Sequence, residues 1–88
     1  MRDINVYGFI GGGWDDTDMT ATKFADELKE ANGEAVTIHV NSGGGDVFDA
    51  NTMAELLRAY QGESTCIIEG LAASAASYFA LTADKVVI

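Results

Sequence analysis

Short runs of β-branched and aromatic residues alternate along this chain with stretches of helical periodicity, and glycines stand at nearly every change of period. Residues 4–10 form the first such run, closed by Gly11-Gly12-Gly13. Residues 35–40 alternate, with Val36, Ile38 and Val40 on one face and Ala35, Thr37 and His39 on the other. Residues 65–68 give a third strand that Gly70 is expected to end, and residues 85–88 begin a fourth. Between them, Phe24, Leu28 and Ala31 recur at i, i+4 and i+7 in a helix started by Thr17 or Asp18 and stopped by Asn32-Gly33. A second helix starts at Asp46 and carries the stripe Met53, Leu56, Leu57, Tyr60, and small residues make residues 73–81 a third. The order β-α-β-α-β-α-β calls for crossover connections and a largely parallel sheet, with ligands at the carboxyl ends of the strands.

Composition narrows the function. With 88 residues, 48% of them hydrophobic, the chain can bury one small core, so residues 1–88 are read as a single domain. A net charge of −9 opposes a phosphate backbone and an anionic membrane surface, so neither nucleic acid nor membrane is an expected partner. The lone Cys66, inside an apolar run, suits a buried thiol in a reducing, cytoplasmic compartment. The amino-terminal residues lack the layout of a signal peptide.

Two strand-to-helix junctions carry chemistry. In Asn41-Ser42-Gly43-Gly44-Gly45-Asp46, three residues without Cβ let backbone N–H groups approach a bound carbonyl. The segment is not a phosphate loop, which closes on Gly-Lys-Ser/Thr where this one closes on Asp46. Taken alone it reads first as a tight turn with Asp46 as a helix cap. In Gly70-Leu71-Ala72-Ala73-Ser74-Ala75-Ala76-Ser77, a serine near a helix start sits close to free amides and the positive end of a helix dipole. Taken alone that run reads first as a helix pressed against a neighbour. The acidic residues Asp15, Asp16 and Asp18 lack the spacing of a calcium loop and fit the electrostatics of a helix start, so no metal or cofactor is expected.

At their observed separation the two segments resemble the Clp-type serine peptidases. With residues 18–24 upstream, the chain is most similar to their phage relatives, the prohead or head-maturation proteases. The resemblance implies the ClpP/crotonase-like fold of repeated β-α units on a mostly parallel sheet, here the amino-terminal part of the domain and incomplete at its carboxyl end. It implies Ser74 as nucleophile, the N–H groups of Gly45 and Ala75 as oxyanion donors, and Gly44 as the residue shaping the loop. The implied reaction is hydrolysis of a polypeptide through a Ser74 acyl-enzyme, in a ring-forming homo-oligomer, with an AAA+ unfoldase or phage capsid proteins as further partners. Residues 37–40 would lie where the family pairs an extended peptide.

The departures matter too. Gly43 stands where the family usually has proline, and Ala76 stands where many members have glycine and the phage type tends to alanine. No histidine follows Ser74, and His39, inside a strand ahead of the glycine loop, is expected to be a packed, hydrogen-bonded residue and not the base. The chain alone is therefore expected to be inactive or nearly so. Two other readings stay open: a crotonase-like acyl-CoA hydratase or isomerase, which shares the fold and the paired N–H groups but needs no serine, and a non-catalytic interaction or scaffold subunit.

Overall fold

The computed structural model describes residues 2–8, 10, 11, 18–72 and 75–88, and the backbone alone for residues 71, 72 and 75. Thr17, Trp14, Asp15, Asp16, Ala73 and the candidate nucleophile Ser74 lie outside the described residues. The elements are β1 (Arg2–Tyr7), α1 (Ala21–Ala31), β2 (Val36–Ser42), α2 (Val47–Ala59), β3 (Ser64–Ala72), α3 (Ala75–Ala80) and β4 (Lys85–Val87). All pairings are parallel and the strands lie in the order β1-β2-β3-β4. The α/β class and the parallel sheet are those the alternation predicts.

Each strand's period of two divides its residues between two faces. Ile4 and Val6 of β1, Val36, Ile38 and Val40 of β2, and Cys66 of β3 are all at most 1% exposed, and they form the core with Phe24 and Leu28 of α1, Met53 and Leu57 of α2, and Phe79 of α3. Helix α1 packs on α2 and α2 on α3, so the helices make one layer over that face. Phe24 and Phe79 close the layer edge to face, with ring centroids 5.1 Å apart at 89°, a geometry worth ~0.5–1.5 kcal/mol beyond the area buried. Asp3, Asn5, Tyr7, Asn41 and Glu69 are exposed along the sheet.

Several boundaries differ from the sequence expectation, each for a local reason. Thr20, and not Thr17 or Asp18, caps α1: its hydroxyl accepts the Lys23 N–H at 3.1 Å from an extended backbone. The first strand stops at Tyr7 because Gly8 turns to φ +71°, although Ile10 pairs again with Met19 and Gly45. Gly70 does not end β3; at φ +112° it lies within a strand that continues to Ala72, with the pairing register to β2 shifting between Val40 and Ser42. Helix α3 is shorter than expected, starting at Ala75. Asp46 does cap α2, accepting the N–H groups of Phe48 at 2.8 Å and Asp49 at 3.4 Å.

Two polar clamps tie the elements together. The Arg2 guanidinium at the start of β1 reaches Glu27 and Glu30 on α1, and both carboxylates raise its pKa. At the amino ends of β3 and β4, the Ser64 N–H donates to Asp84 Oδ2 at 2.9 Å while the Asp84 N–H donates to Ser64 Oγ at 3.0 Å.

Candidate active site

The glycine loop leaves the carboxyl end of β2, and its shape follows from a few backbone hydrogen bonds. The Ile10 N–H donates to the Gly44 carbonyl at 3.0 Å, and the Asp46 N–H donates to the Ile10 carbonyl at 2.8 Å. Every peptide bond is trans, so the carbonyl of one residue and the N–H of the next point in opposite directions across a shared plane. With the Gly44 carbonyl turned to Ile10, the Gly45 N–H points away from it. That N–H has no hydrogen-bond partner among the described residues.

Only glycine fits there. Gly45 has φ +154°, and a Cβ at this position would lie 2.1 Å from the Ile10 carbonyl oxygen. Gly44, at φ +101°, makes the preceding turn. The Gly44 N–H is held inside the loop, donating to Ser42 Oγ at 3.1 Å, and the Asp46 N–H is held by Ile10. Of the N–H groups at 44, 45 and 46, the one at Gly45 is the one turned outward. The resulting arrangement leaves one N–H donor on the edge of the loop that faces away from β1, with its peptide plane held by Ile10.

The second expected donor, Ala75, is the first residue of α3, where backbone N–H groups have no partner within the helix. Strand β3 carries the chain from Gly70 to Ala72 immediately ahead of it. Ser74 belongs to this junction by sequence and lies outside the described residues. Ala76, Phe79 and Ala80 bury the core-facing side of α3, with Ala76 at 0% exposure. The small residues of this helix thus include some that pack, as the plainer sequence reading holds.

Comparison with known proteins adds the decisive observation: the Clp protease family model matches residues 13–87. This chain belongs to the Clp protease family. Among solved structures it is similar to an N165D mutant of ClpP1 from Listeria monocytogenes, with a TM-score of 0.79 and 24% identity over 93% of this chain and 46% of that one. It is also similar to the ClpP protease catalytic domain from Plasmodium falciparum, with a TM-score of 0.78 and 19% identity over 98% of this chain and 54% of that one. ClpP1 from Listeria monocytogenes matches with a TM-score of 0.78 and 23% identity over 92% of this chain and 46% of that one. No curated protein sequence matches significantly. The chain thus spans about half the length of the Clp structures it resembles.

His39, the one histidine of this Clp family chain, does not join the glycine loop. It sits three residues, about 10 Å of extended strand, before the last residue of β2. Its ring bridges three strands: Nδ1 is 2.5 Å from Glu69 Oε2 on β3, and Nε2 is 3.2 Å from Asp3 Oδ1 on β1. The Tyr7 hydroxyl donates to the other Glu69 oxygen at 2.5 Å. Hydrogen bonds to Glu69 and then Asp3 raise the His39 pKa. The Tyr7 and His39 donors hold Glu69 below its ordinary value, and Glu69 raises Tyr7. The expected hydrogen-bonded histidine is found, and its partners are what sequence reading missed. Asp3 and Glu69 sit on diagonals across the strands, and only the register, with Asn5 beside His39 and His39 beside Ile67, brings them together.

Among the described residues no group of three metal-ligating side chains could hold an ion, and no helix is long and apolar enough to cross a membrane. Burial alone pushes the Cys66 thiol up to about 12, which makes it a packing residue and not a nucleophile.

Proposed function

We propose that this chain is the oxyanion-donating and nucleophile-bearing part of a serine-type peptidase of the Clp kind. In this reading Ser74 Oγ attacks a peptide carbonyl, and the N–H groups of Gly45 and Ala75 stabilise the oxyanion. The acyl-enzyme on Ser74 is then hydrolysed by water. The observation that carries the proposal is the outward-turned Gly45 N–H at a position that admits no side chain. A donor of this kind is worth roughly 10²–10³ in rate.

The general base has to come from outside these residues. His39 is the sole histidine in the sequence, and both its ring nitrogens are engaged by carboxylates on the sheet. Within this reading, polypeptides are the substrates and a homo-oligomeric ring is the working assembly. Capsid maturation in a phage is the finer expectation, resting on Ala76 and on the similarity of residues 18–24.

The test is reaction of the protein, isolated in its native form, with a fluorophosphonate probe, followed by mapping of the labelled residue. Labelling at Ser74 that disappears in Ser74→Ala is the expected result. A native protein that hydrolyses or hydrates its substrate while leaving the probe untouched would point instead to chemistry that uses the N–H pair without a serine.

A further inference from the structure

Three consecutive glycines give the loop more backbone freedom than any other tripeptide, so something outside the glycines has to hold its peptide planes. Ile10 holds the plane between Gly44 and Gly45 through the Gly44 carbonyl. The plane between Gly43 and Gly44 is held by one side chain. Ser42 is 2% exposed, and its hydroxyl is used in both directions: Oγ donates to the Gly8 carbonyl at 2.6 Å and accepts the Gly44 N–H at 3.1 Å. Gly8 is the residue that ends β1, at φ +71°. A single buried oxygen therefore joins the end of β1 to the glycine loop and draws the Gly44 N–H inward.

We propose that Ser42 is a positioning residue for the oxyanion cradle: its hydroxyl fixes the 43–44 peptide plane, and together with Ile10, which holds the next plane, it sets the direction of the Gly45 N–H. This rests on the peptidase reading above. Removing the hydroxyl leaves the buried Gly44 N–H without its acceptor and releases the carbonyl of the exposed Gly8. The cheapest relief is rotation of the 43–44 plane, which the glycines permit and which, through the shared Gly44 Cα, pulls against the bond by which Ile10 holds the next plane. Ground-state binding of the peptide, made by other contacts, changes little. Stabilisation of the oxyanion changes most, because a donor displaced from where charge develops loses most of its effect.

The experiment compares wild type, Ser42→Ala and Ser42→Cys in the native, active protein, with Ser74→Ala as the reference for activity that depends on the serine. Two quantities are read: the kcat and KM for a peptide substrate, and the affinity for a peptidyl boronate whose oxygen occupies the oxyanion position. Ser42→Ala is expected to lower kcat by roughly tenfold to a hundredfold, a part of the 10²–10³ lost with a whole donor, and to weaken the boronate by a similar factor while KM stays within about twofold. Ser42→Cys, nearly isosteric with a weak donor, is expected to fall between, and it decides the matter if the alanine variant does not fold. Equal losses of substrate and boronate binding, or wild-type kcat and boronate affinity in the cysteine variant, would overturn the positioning role. Wild-type activity equal to that of Ser74→Ala would instead remove the peptidase reading on which it rests.

Discussion

Substitution of Gly45 by alanine is the sharpest probe of the loop. The added Cβ would meet Ile10 O at 2.1 Å, Ile10 N at 2.8 Å and Ile10 C at 2.9 Å. All three are backbone atoms of a residue that is itself 0% exposed. No flexible side chain can swing aside, so Ile10 and Gly45 must separate. Separation breaks the bonds from the Ile10 N–H and from the Asp46 N–H, at about 1 kcal/mol each. A side chain at φ +154° adds a backbone cost of about 1–3 kcal/mol. The sum, roughly 3–5 kcal/mol, compares with a total stability of about 4–13 kcal/mol for 88 residues. Gly33→Ala is the control, because Gly33 has φ +86° and a Cβ added there would meet nothing within 4 Å. It should cost only the left-handed backbone penalty of about 1–2 kcal/mol. Urea unfolding followed by circular dichroism gives both values. Equal midpoints for the two variants would refute the steric account and with it the tight seating of Gly45 on Ile10.

The His39 network has a pH signature with a definite sign. Its raised pKa means that the histidine's contribution to stability is complete below the ordinary value of 6.5 and is lost as pH climbs through the folded value. Glu69, held low, contributes above its ordinary 4.5 and loses that contribution as pH falls through its lowered value. The pair therefore stabilises most between those ordinary values. Glu69→Gln should lower the His39 titration midpoint seen by NMR, and an unmoved midpoint would contradict the bridging geometry. Cys66, buried with its pKa pushed up to about 12, should resist iodoacetamide in the folded protein and react once urea unfolds it; labelling at equal rates in both states would be inconsistent with its burial. Asp84→Ala removes one acceptor and strands the Ser64 N–H, so urea unfolding should show a loss of about 1–3 kcal/mol, and no loss would mean the clamp is idle.

The strands and helices were legible because period and glycine placement agree. Val36, Ile38 and Val40 alternate and are buried, and Phe24, Leu28 and Ala31 lie on one helical stripe and are buried. What was not legible depends on contacts between distant segments. Thr20 takes the cap from Thr17 and Asp18, and three acceptable capping residues in close succession cannot be ranked from the sequence. Gly70 reads as a stop, yet the strand runs through it; a single residue does not reveal that the neighbouring strand will accommodate an irregular register. The partners of His39 lie 36 and 30 positions away along the chain. Of the candidate site, the Ser42 to Asp46 segment could be found by its glycines, whereas the roles of Ser42 and Ile10 in holding it emerge only once β1 and β2 are side by side.

The direction of the Gly45 N–H follows from strand order more than from the loop's own sequence. Strand β2 has β1 on one side and β3 on the other. Once Ile10, beyond the end of β1, binds one backbone edge of the loop, the opposite edge faces the side of β3. Ala75 opens α3, which packs on β3. A Gly-Gly-Gly turn by itself has no preferred direction for its N–H groups. Placed after the second strand of a parallel sheet, with Ile10 bound along one of its edges, it has one, and that direction is away from β1.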